Sequence, residues 1–66
     1  MKELYKYEGY VRIICTDGDI LEGSIDDYTS ALDNEPDEES ITIREESSKR
    51  LIEIMRSEIA EIEEVV

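Results

Sequence analysis

Sixty-six residues leave room for one domain with a small core, since a chain of this length buries only about 60% of its unfolded surface. Seven basic residues stand against nineteen acidic ones, a formal charge of −12 that repels phosphate backbones and anionic membrane surfaces. There is no histidine and one cysteine, which removes the usual imidazole base or ligand and any intrachain disulfide, and fits a reducing cytoplasm.

The first residues, MKELYKYE, are mixed, and we read a short helix that caps one end of the fold. Tyr5, Tyr7 and Tyr10 read as a lid over a small core, with a stacking platform for bases as the alternative. No run at this end or elsewhere approaches the ~20 apolar residues of a spanning helix, so the expected location is the cytoplasm.

Tyr10 to Tyr28, YVRIICTDGDILEGSIDDY, carries the strongest pattern. Val11, Ile13 and Cys15 alternate with polar or outward residues, as do Leu21, Gly23 and Ile25. Period-two alternation places these side chains on one face of a sheet. Asp17-Gly18 between the two runs is a hairpin signal, because both residue types tolerate positive φ. Strands are expected over 10–16 and 19–28, with Ile14 and Ile20 flanking the turn on the outward face, as a cross-strand pair or a contact surface. Gly23 lies on the inward face in mid-strand, where a missing side chain marks a bend or bulge. Cys15 reads as a small core residue, since no histidine is present to activate it.

Thr29 to Ser40 breaks the alternation with turn formers and five acids between Asp33 and Glu39. Clustered carboxylates suit a divalent cation. The spacing does not match a calcium-binding helix–loop–helix, however, and a solvated acidic loop without metal is the expectation. Ile41 to Arg44 is a short β-rich run, and Glu45 to Lys49 a polar turn.

The last twenty residues fit two patterns. Leu51, Ile52, Met55, Ile59, Ile62 and Val66 fall at helical spacing, with Ser48 as a cap, so local pattern alone slightly favours a helix over residues 49–64. The isoleucines and valines of the same stretch favour strands instead, and a sheet of three strands would leave open edges.

Val11, Ile13, Cys15, Asp17-Gly18, Leu21, Gly23, Ile25 and Tyr28, in that order, resemble the first half of the Sm-like (LSm) domain. The resemblance implies a mainly β fold: a five-stranded, strongly bent antiparallel barrel of the Sm-like/SH3-like kind. Its strands would span about 10–16, 19–28, 40–45, 49–55 and 59–64, with Arg56 to Glu58 as a tight turn and residues 1–66 as one domain. It also implies a closed ring in which the fourth strand of one copy pairs with the fifth of the next. The apolar seam there is Ile52, Ile54, Ile59 and Ile62, some of which must also serve the core. Family positions that contact RNA fall on Tyr28, Asp33 and Arg56, with Asp33 standing where the family has Asn and Asn34 next to it as a further candidate contact. The match departs from the family pattern at Thr29, where the family has Asp, and at Ser57, where it has Gly after the Arg.

The functional expectation is a non-enzymatic domain that self-associates through strand edges, needs no cofactor, and binds a partner that is a protein or a basic peptide. RNA binding on a ring is the alternative, and the net charge disfavours it. An enzyme is discounted, because no nucleophile has a base, no glycine-rich loop is present, and no carboxylate pair has a recognisable spacing.

Overall fold

The computed structural model describes residues 3–34 and 38–65. Five antiparallel strands form one sheet: β1 (Tyr10–Cys15), β2 (Ile20–Thr29), β3 (Ser40–Glu45), β4 (Leu51–Met55) and β5 (Ile59–Glu64). Their order across the sheet is β4-β3-β2-β1-β5. The chain thus meanders from β1 to β4, and its last strand returns to lie beside the first. The sheet is open, with β4 and β5 as its edges.

The strands form where alternation predicts them. Val11 and Ile13 are fully buried, and Cys15, Leu21 and Ile25 pack half-buried against the same core. Ile14 lies opposite Ile20 across the β1–β2 ladder, so the two isoleucines flanking the turn do form a cross-strand pair. The turn itself differs from a two-residue hairpin. Gly18 N–H donates to Cys15 O at 2.9 Å and Cys15 N–H to Asp19 O at 2.8 Å. Only Gly18 has positive φ (+96°), while Asp17 accepts Asp19 N–H through its carboxylate at 3.0 Å. This is the longer loop in which glycine takes the left-handed position just before the returning strand.

Gly23 is the joint of the sheet. It faces Val11 in β1 and Glu45 in β3. A Cβ built on it would land on the carbonyl oxygen of Arg44 and lie 2.8 Å from the carbonyl carbon. The backbone approach of β3 therefore requires a residue without a side chain. Beyond it, the β2–β3 register shifts between Ile25 and Asp27, a bulge that lets β2 leave β1 and continue along β3 alone.

Residues 49–64 are two strands and not a helix. Ile52 and Ile54 lie opposite Ile43 and Ile41 in β3, and Ile62 lies opposite Ile13 in β1. Long-range pairing overrides a helical spacing that was compatible with either period. Ser48 caps no helix: its hydroxyl donates to Glu45 at 2.6 Å and accepts Arg50 N–H at 3.2 Å within the β3–β4 turn. Lys49, in the same turn, has φ +62°, which delays the start of β4 to Leu51. Arg56–Glu58 is a single 3-10 turn.

At the N-terminus a 3-10 turn, Leu4–Lys6, takes the place of the expected short helix. It places Leu4 and Tyr7 in the core with Val11, Ile13, Ile41, Ile43, Ile54 and Ile59. Of the tyrosine lid, then, Tyr7 is buried. Tyr5 stays half-exposed and meets Tyr28 edge to face, with ring centroids 6.1 Å apart. No described helix is long and apolar enough to cross a membrane.

Candidate functional site

Two regions answer to the sequence expectations: the sheet end where the β2–β3 and β4–β5 connections meet, and the two open edges.

The first contains Tyr28, Asp33, Asn34 and Arg56. Tyr28 ends β2 opposite Ile41, and Asp33 closes a 3-10 turn (Ala31–Asp33). The two connections are sewn together by the segment 38–40. Arg56 N–H donates to Glu39 O at 2.9 Å, and Ser57 N–H to the Glu38 carboxylate at 2.7 Å. The side chain and then the backbone of Ser57 hold the Glu38 carboxyl below its ordinary range. Glu39 in turn accepts Leu4 N–H at 3.0 Å, which anchors the N-terminal turn to the same end.

Asn34 has a part in this framework. Its Nδ2 donates to Glu38 O at 3.0 Å and to Ser40 Oγ at 2.9 Å. Ser40 is fully buried, and its hydroxyl passes the chain on to the Glu53 carboxylate at 2.7 Å. Both donors of the Asn34 amide are thereby used within the protein. Asp33 is likewise bonded to the Ser30 hydroxyl at 3.0 Å. Tyr28 is surrounded by acids. Burial, then Glu39 and Glu3, push its hydroxyl pKa up, and the hydrogen bond and charge of Glu3 do the same for Tyr5. The sheet end thus gathers the four residues, but with carboxylates interleaved and Arg56 as the basic member.

The acidic run between Asp33 and Glu39 brings no three metal-ligating side chains together among the described residues, and Glu35, Pro36 and Asp37 lie outside them. Cys15 is half-buried. Burial, then the charges of Asp17, Asp19 and Glu58, raise its thiol pKa.

The second region is the pair of edges. Ile54 and Ile59 are core residues, whereas Ile52 and Ile62 are partly buried and packed against the core. Backbone alternation decides what each edge offers. Glu45 N–H bonds to Arg50 O and Arg56 N–H to Glu39 O, at the two ends of the β3–β4 ladder. Bonded pairs alternate in an antiparallel ladder, so Ile52 and Ile54 bond to β3 while the backbones of Leu51, Glu53 and Met55 face outward. Met55 N–H is capped by the Glu58 carboxylate at 2.9 Å. On the other side Val65 N–H bonds to Tyr10 O, so Glu61 and Glu63 bond to β1 and the backbone of Ile62 faces the open edge.

Beside β5 runs an open groove lined by Arg12, Ile14, Ala60, Glu61, Ile62 and Glu63. Arg12 lies between Glu22 and Glu63, at 3.8 and 3.6 Å. Sequence reasoning missed this groove and the buried Ser40. Both depend on non-local neighbours, although the polar–apolar alternation of Glu61, Ile62 and Glu63 is visible in the chain.

Compared with protein-family models, curated proteins and solved structures, the chain matches none.

Proposed function

We propose that this protein is a non-enzymatic Sm-like domain, a strongly bent small barrel that associates with other copies through its strand edges and binds a protein or basic-peptide partner in the cytoplasm. The observation that carries this reading is the strand order β4-β3-β2-β1-β5, which leaves the fourth and fifth strands as the two open edges of one sheet. Unpaired edges invite a further strand, and one edge of each kind per copy is the requirement for a closed head-to-tail ring.

The barrel is supported by shape and burial. A flat five-stranded sheet would be a slab of strands spaced about 4.8 Å apart. The extents here are 29 × 22 × 21 Å, and β1, β3, β4 and β5 all bury isoleucine or valine in one core. A sheet has to curl to do both.

Charge weighs against RNA as the partner. A ring of about six copies would carry roughly −70, a field hostile to a polyanion. The internal bonding of Asn34 and the carboxylates around Tyr28 add to this locally.

Native mass at low and high salt tests the reading. A discrete oligomer that persists or grows stronger with salt, as acidic copies are screened from one another, is the expected result. A monomer at every concentration overturns self-association. Salt-sensitive binding to oligouridylate would move the assignment to RNA.

A further inference from the structure

We infer that the open edge of β5 takes an extended segment of a partner protein in which basic and apolar residues alternate. This rests on the reading of the strand edges as association surfaces, and it names the partner.

The argument starts from the register. A strand laid on β5 bonds to the backbone that faces away from β1, that of Ile62. Its side chains then alternate between the two faces of the sheet. On the outer face they meet Glu61 and Glu63, both exposed, and the groove floor of Ile14. On the inner face they meet Ile62, which is only partly buried against the core, and beyond it Glu64, whose carboxylate is already bonded to Glu8 N–H at 2.8 Å. The outer face around this groove holds three carboxylates, Glu22, Glu61 and Glu63, and one guanidinium, Arg12, already bridging two of them. An incoming strand is therefore rewarded for positive charge at one parity and for apolar side chains at the other.

A second copy fits this demand only in part. Its β4, LIEIM, supplies Ile52 and Ile54 for the inner face. Laid parallel to β5, the direction that keeps these isoleucines on the inner face, it brings Leu51, Glu53 and Met55 on the outer face, so that Glu53 approaches Glu61 and Glu63. Like charges opposite one another across strands are destabilising. A cationic segment meets no such opposition, and at low ionic strength it outcompetes the copy for this edge.

The test uses the full chain and an end-labelled ten-residue peptide alternating Lys and Val, followed by fluorescence anisotropy. A peptide of identical composition with the lysines in one block is the comparison. Alternating Lys–Val is expected to bind at least about tenfold tighter than the block peptide. N-methylation of one set of alternate amides is expected to abolish this preference, and methylation of the other set to leave it. Reversal at Glu61→Lys with Glu63→Lys, both exposed, is expected to weaken the Lys–Val peptide and strengthen a Glu–Val one. Equal binding of the two lysine peptides, or indifference to methylation of either set, reduces the attraction to net charge and overturns the inference. Native mass measured on the same samples separates the two readings. A monomer that binds the alternating peptide overturns self-association and leaves this inference standing. An oligomer that ignores the peptide does the reverse.

Discussion

The two edges of the sheet are finished in different ways. At the β4 end the carboxylates belong to the structure. Glu53 receives the hydroxyl of a fully buried serine, Glu58 caps the outward N–H of Met55, and Glu38 ties the β2–β3 connection to the turn after β4. At the β5 end Glu64 does the same, accepting Glu8 N–H at 2.8 Å, while Glu61 and Glu63 are exposed and Glu63 has an open ion pair with Arg12 at 3.6 Å, a kind worth little to stability. A uniformly acidic composition therefore hides two roles. One set of carboxylates accepts backbone and hydroxyl donors and holds connections in place. The other, Glu61 and Glu63, stays exposed along the open edge.

The contrast can be broken at its joint. Gly23 faces β1 and β3 at once, so Gly23→Val strikes the β5 side and the β4 side together. We expect a loss of at least ~3 kcal/mol, enough to remove the cooperative melt of so small a domain. A variant that keeps its melting temperature in circular dichroism contradicts the close approach of β2 and β3.

Ser40→Ala touches the β4 side alone. It removes the hydroxyl between Asn34 and Glu53. The expected cost is about 1–2 kcal/mol, and the melting point should fall by at least about 4 °C. In amide hydrogen exchange the loss of protection should fall on β3, β4 and the 30–34 segment, with β1 and β5 unchanged. Uniform loss would mean that the two sides are not separable.

A smaller effect is expected from pH. The Glu38 carboxyl is lowered on folding, so its bond to Ser57 contributes above the unfolded value and is lost as pH falls through the lower folded value. The Ser57 amide resonance should therefore titrate with a midpoint below the ordinary glutamate value of 4.5. A midpoint at or above that value removes the carboxylate from the framework of the β4 end.

The smallest change sharpens the comparison of the two hairpin turns. Gly18 and Lys49 each occupy the left-handed region shortly before the returning strand. Only lysine is strained there, and Lys49→Gly should add about 0.5–1 kcal/mol, read as a small rise in the urea midpoint.

Much of this fold is legible in the residues. The alternation of Val11, Ile13, Leu21 and Ile25, the Asp17-Gly18 turn and the glycine at 23 place the first hairpin and its joint, because all three are local signals. The C-terminal third is not decided locally. Ile52, Met55, Ile59 and Ile62 satisfy both a helical and a strand period, and only pairing with β3 and β1 resolves them. The sheet end is less legible still. Asn34 stands next to a position that the family resemblance assigns to RNA, yet its amide is bonded to Ser40 and Glu38, partners that no local spacing announces. Ser40 itself has no sequence mark: a serine at the start of a strand is ordinarily exposed, and here it is fully buried, opposite Thr29 of β2 and Met55 of β4 and bonded to Asn34 and Glu53.

The return of β5 to β1 has a kinetic consequence. Every other strand pair joins neighbours along the chain, whereas Val11 meets Glu64 across some fifty residues. The meander from β1 to β4 can assemble hairpin by hairpin, but β5 has to close the longest loop in the molecule before it gains a single bond. Closing that loop costs more entropy than closing any of the hairpins, so β5 is expected to dock last. While it is away, β1 exposes a second row of unpaired backbone, and the chain is briefly open to trading this strand with another copy.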